Sequence, residues 1–158
     1  MCIRDRLLAV PTVALHWDAL KANHPDMLIW SWAFASGLYL ATLSYLLRYV
    51  FQQAVMTADR LWGAAAAYLL IGVLWAYLYG LVGHFYPLSF SVGGVASDLE
   101  VADFLYFSFT VLTSTGFGDM APLSRPARSL CILEQLVGAL FISILIARLA
   151  GVYPPRQR

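Results

Sequence analysis

Long uncharged stretches set the architecture of this chain. Residues 27–47 and 61–83 contain no Asp, Glu, Lys or Arg, and residues 129–147 contain a single acid, Glu134. A hydrocarbon layer about 30 Å thick is crossed by about 20 helical residues rising about 1.5 Å each. Each stretch therefore predicts a spanning helix, the first extending over residues 27–51. Trp30 and Trp32 stand near one end of it, where indole rings anchor at a membrane surface. Residues 7–20 are apolar but shorter and carry Pro11, His16 and Asp18, which predicts a partial or interfacial helix within residues 1–26. The opening MCIRDR reads as a leader translated from a cloning adapter, with the native sequence continuing upstream of Leu7.

Between the second and third stretches the pattern changes. Residues 84–97 hold Pro87 and the Gly93-Gly94 pair, which predicts a loop. Residues 98–112 predict a short helix with Asp98 as N-cap, and Glu100 and Asp103 in its first turn suit the helix dipole. Such a helix is too short to span, yet its run FLYFSFTVL is too apolar for water. A short apolar helix between two spanning helices predicts a re-entrant segment shielded by protein. The fold class is thus an all-α membrane protein: helix, re-entrant helix and helix, preceded by at least one further transmembrane helix.

Composition agrees. Of the 158 residues, 61% are hydrophobic and 12% charged, about half the charge of a soluble domain. No basic cluster exists to meet nucleic acid, and Cys2 and Cys131 are too few for a disulfide framework or metal site. Arg48 and Arg60 link the first two stretches, and Arg148, Arg156 and Arg158 follow the last, whereas Arg125 and Arg128 flank the re-entrant loop. That asymmetry places the link and the C-terminal side in the cytoplasm and the loop outside. No helix carries arginines at every third position, as a voltage sensor would.

The chemistry lies in Thr113-Ser114-Thr115-Gly116-Phe117-Gly118-Asp119. A pore passing a dehydrated cation must replace its water shell with oxygens, and rings of backbone carbonyls can do so. Aiming successive carbonyls at one axis requires backbone angles of alternating hand, which glycine at alternate positions permits. A hydroxyl at the inner end adds oxygens. An acid at the outer end, Asp119, ties the strand to its supporting helix and concentrates cations.

This stretch resembles the T-x-G-[YF]-G-D signature of potassium channels with a helix–pore loop–helix unit, with Ser114 as the T. The wider run, from TADRLWGA through YFSF to IARLAG, is similar to bacterial two-helix-pore ion channels with additional N-terminal membrane helices. The resemblance covers residues 57–153. It implies an outer helix at 61–83, a pore helix at 98–112, a selectivity filter at 113–119 and an inner helix at 127–150. It further implies K+ ligands at the carbonyls of Ser114, Thr115, Gly116 and Phe117 and the Ser114 hydroxyl, with Gly118 completing the filter. Thr113, Asp119, Tyr106 and Phe107 are implied as filter support, the last two as an aromatic cuff, and Gly138 as an inner-helix hinge. The expected assembly is a homotetramer in a cell membrane, the bacterial inner membrane, in contact with lipid. No cofactor is expected beyond permeant K+, and no small-molecule substrate or nucleic acid.

Two departures stand out. Ser114 keeps the threonine hydroxyl and loses a methyl. Thr115 replaces the usual Val, Ile or Leu, a polar group where an apolar one packs behind the filter, and keeps open a nonselective cation channel. Glu134, as an acid within a membrane segment, reads as a structural bond to a pore-helix or filter group, with control of gating as the sharper alternative. His84 reads as an interfacial histidine rather than a pH sensor, and Arg148 as a side chain reaching the headgroups. Trp62, Tyr68, Trp75, Tyr77 and Tyr79 read as packing and interface anchors. A G-x-G-D intramembrane aspartyl protease needs a second carboxylate on a facing helix, and residues 27–47 and 61–83 offer none. The expectation is a passive channel, not an enzyme; a nonconducting membrane subunit is a further alternative.

Overall fold

The computed structural model describes residues 25–51 and 57–151. The expected segment at 7–20, the leader, Cys2 and the arginines at 156 and 158 lie outside these residues. The elements in chain order are α1 (Pro25–Phe51), α2 (Ala58–Phe85), β1 (Phe90–Val92), β2 (Val95–Ala96), α3 (Val101–Leu112), β3 (Met120–Pro122) and α4 (Arg125–Gly151).

Each long helix runs past its uncharged stretch, because chain polarity does not stop a helix; capping does. Ser124 begins α4: its hydroxyl accepts the Ala127 N–H at 3.3 Å and its carbonyl accepts the Arg128 N–H at 3.0 Å. Pro126 then falls in the first turn, where a missing N–H costs nothing. Asp98 is not the cap of α3. That helix starts at Val101, and Asp103 Oδ2 reaches back to accept the Glu100 N–H at 3.0 Å. Among the described residues, α2 and α4 combine the length and apolar composition of spanning helices. With 27 residues α1 is also long enough to cross.

The loop expected at 84–97 contains two strands. Gly93 and Gly94 both have positive φ, 57° and 83°, the two-residue turn that joins tightly paired antiparallel strands. Val92 pairs with Val95 across it, and β1 also pairs antiparallel with β3, Phe90 facing Pro122 and Val92 facing Met120. The result is a three-stranded sheet of order β2-β1-β3. It sits over the end of the bundle where α2 ends and α3 and α4 begin.

Two apolar clusters hold the helices together. Leu43 and Val50 of α1, Ala64, Ala67, Ile71 and Leu74 of α2, Leu112 of α3 and Phe141 of α4 form one. Beneath the sheet, Tyr79, Phe90, Phe104, Phe107, Val111 and Ala127 form the other. Glycines let the helices approach: a Cβ at Gly72 would lie 2.8 Å from the Phe109 ring, and one at Gly80 the same distance from Trp32 of α1. The opposite surface of α4 leaves Ile132, Leu133, Leu136, Leu140 and Ile146 exposed. An apolar face this continuous is covered by lipid or another chain.

Candidate functional site

The last four carbonyls of a helix have no partner within it, and in α3 all four are occupied by the residues that matter. Phe109 O accepts the Thr113 N–H at 3.1 Å and the Thr113 hydroxyl at 2.7 Å. Thr110 O accepts the N–H groups of Thr115 at 2.9 Å and Gly116 at 3.1 Å, and Val111 O accepts that of Ser114 at 2.9 Å. Leu112 O accepts the Tyr68 hydroxyl of α2 at 3.1 Å. The end of α3 is therefore the anchor of residues 113–116.

This anchoring fixes where the carbonyls face. Every described peptide bond is trans, and in a planar trans peptide the C=O of one residue opposes the N–H of the next. With the N–H groups of Ser114, Thr115 and Gly116 turned toward α3, the carbonyls of Thr113, Ser114 and Thr115 turn away from it. Positive φ recurs at alternate positions beyond: 55° at Ser114, 51° at Gly116 and 81° at Gly118. The two glycines adopt it freely. Ser114 does so at a cost of about 1–2 kcal/mol, held by its bond to Val111.

The strand then climbs back to the sheet. Asp119 O accepts the Gly93 N–H at 2.8 Å, joining the hairpin turn to the strand's outer end. The Tyr106 hydroxyl of α3 donates to Asp119 Oδ2 at 2.9 Å, and its ring lies parallel to that of Phe117 with centroids 6.4 Å apart. The Tyr106 pKa is raised above its ordinary value, chiefly by this bond to Asp119, so the phenol remains a donor. Phe107 departs from the expected aromatic cuff. One position on, it faces the other way and packs on Tyr79 and Phe90 in the core beneath the sheet. Thr115, the unusual residue, places its hydroxyl 2.8 Å from that of Thr113. Residues 113–119 are exposed throughout, Phe117 at 69%.

Behind α3 the surroundings are closed. Glu134 of α4 is fully buried, with Tyr79 of α2 on one carboxyl oxygen at 2.6 Å and Ser108 of α3 on the other at 2.5 Å. Gly138, one turn further along α4, lies against the end of α3, where a Cβ would meet Leu112 O at 2.5 Å. It sits within an unbroken helix, so its smallness has a packing reason in addition to the hinge role expected of it. Trp75 Nε1 donates to Leu130 O at 3.2 Å. Tyr68, Trp75 and Tyr79 thus do more than anchor and pack; each donates a bond from α2 to α3 or α4. His84 and Arg148 lie in the last turns of α2 and α4, at opposite ends of the bundle.

Two helices long and apolar enough to span, with a short apolar helix and a return segment between them, are the arrangement expected of a channel pore. A family model described as ion channel matches residues 63–153, more than half of the chain, and the chain belongs to that family of two-helix ion channels. Comparison with curated proteins and with solved structures gives no match.

Proposed function

We propose that the chain conducts potassium passively, four copies placing their residues 113–119 around one axis in the bacterial inner membrane. The carbonyls of Ser114, Thr115, Gly116 and Phe117, with the Ser114 hydroxyl, replace the water around K+. One chain supplies one strand, and a ring of oxygens needs several. What carries this reading is the joint pattern of N–H groups turned back to α3 and positive φ at 114, 116 and 118. The loop faces outward, α1 is a further spanning helix, α2 faces lipid, and α4 lines the inner pathway, where bending near Gly138 gates it. No cofactor takes part.

A second reading, a nonselective cation channel, draws on the Thr115 hydroxyl, which pairs with Thr113 instead of packing as an apolar side chain. The test is K+ uptake into liposomes holding the purified protein, with a large excess of Na+ as competitor. Uptake unaffected by Na+ supports the potassium filter. Uptake that Na+ suppresses in proportion to its concentration assigns the nonselective reading.

A further inference from the structure

Three short oxygen–oxygen contacts meet behind the pore helix: Tyr79 Oη to Glu134 Oε2 at 2.6 Å, Ser108 Oγ to Glu134 Oε1 at 2.5 Å, and Ser108 Oγ to the Gly72 carbonyl at 2.8 Å. Each needs one proton between its oxygens. Tyr79 supplies one and Ser108 one, since a hydroxyl carries a single proton, and a carbonyl supplies none. The third can come only from the Glu134 carboxyl. An ionised Glu134 would leave two oxygens in contact with no proton between them. It would also place a charge fully out of water, and such a charge is costly unless paired. The titratable groups facing it are Tyr79 and Tyr68 of α2 and Cys131 of its own helix. From α3 comes only Ser108, and among the described residues no basic side chain forms an ion pair with it.

We propose that Glu134 is a carboxylic acid that retains its proton, and that in this neutral form it is the positioning residue of the filter. The bonds run in one direction: Tyr79 donates to Glu134 Oε2, Glu134 Oε1–H donates to Ser108, and Ser108 donates to the Gly72 carbonyl. One side chain of the inner helix thereby fixes the pore helix against the outer helix. Ser108 immediately precedes Phe109, Thr110 and Val111, whose carbonyls hold residues 113–116, so the clamp acts on the filter through α3. This role rests on the reading of residues 113–119 as a filter; the protonation itself does not.

A glutamine reproduces the arrangement, its amide N–H donating to Ser108 and its carbonyl accepting from Tyr79. Infrared difference spectra of the full-length protein in liposomes at neutral pH, wild type minus Glu134→Gln, should show a protonated carboxyl C=O band. Ser108→Ala should move that band to higher frequency as its hydrogen bond is lost. A wild-type spectrum with only carboxylate bands overturns the proposal, whatever the protein conducts. In flux measurements Glu134→Gln should keep the wild-type K+ over Na+ preference, and Glu134→Ala should lower it about tenfold, the factor one ordinary hydrogen bond represents. Glu134→Gln as impaired as Glu134→Ala would show that the negative charge is what matters and would also overturn it. Failure of the filter reading looks different: the band is present, and the wild type itself shows no preference among cations.

Discussion

On one side of α3 runs the strand of residues 113–119, exposed along its length and held by backbone bonds to the helix end. On the other side lie Ser108, Tyr79 and Glu134, buried and bonded to one another, with Gly138 against Leu112. The rear is complete within one chain, its polar groups satisfied by partners the same chain provides. The front is not complete: the carbonyls of Thr113, Ser114 and Thr115 turn away from α3, and Ser114 is held in a left-handed conformation that only its surroundings justify. If residues 113–119 are a filter, substitutions at the front should act directly on what passes, whereas those at the rear should loosen the hold on α3 and change ion preference only through it.

The largest expected effect on conduction is from Gly116→Ala. A side chain at φ 51° costs about 1–2 kcal/mol, and its relief turns the peptide and its carbonyl. Selective conduction should vanish while membrane insertion and helix content, followed by circular dichroism, stay unchanged. At the rear, Gly138→Ala forces a Cβ to within 2.5 Å of a backbone oxygen. The expected loss is about 1–3 kcal/mol, as for other overpacked sites, read as a lower thermal midpoint in detergent. Altered ion preference with an unchanged midpoint would break the division between the two sides. A smaller effect is expected from Tyr106→Phe, which removes the bond to Asp119 and keeps the ring beside Phe117. The permeability ratio should fall modestly with no change in the midpoint. The smallest is from Thr115→Val, which removes the hydroxyl pair with Thr113 and should sharpen the K+ preference slightly.

The two sides were unequally legible in the sequence. The front is local: glycines at alternate positions, an acid at the outer end and a short apolar helix before them lie within a few residues of each other, so pattern alone places them. The long helices are legible for a similar reason, because absence of charge over about 20 residues is a one-dimensional signal. The rear depends on contacts between distant residues. Glu134 advertised the need for a partner, but its partners Tyr79 and Ser108 stand 55 and 26 positions away. Tyr79 carried no mark distinguishing it from the other aromatics of α2. Gly138 drew notice as a hinge, since its close approach to Leu112 exists only once α3 is packed. The sheet escaped because strands of three, two and three residues are too short to display alternation, although the Gly93-Gly94 pair is the hairpin signal that would have found it. Asp98 is a favoured N-cap by type, yet α3 starts at Val101 with Glu100 as its cap, because the Asp103 side chain reaches back to the Glu100 N–H.

The central claim, a carbonyl filter that selects potassium, is tested most directly by the reversal potential of the purified protein in a planar bilayer with K+ on one side and Na+ on the other. A potassium-selective filter should set the potential close to the potassium equilibrium value. A potential near zero would contradict it, leaving a cation channel without selectivity.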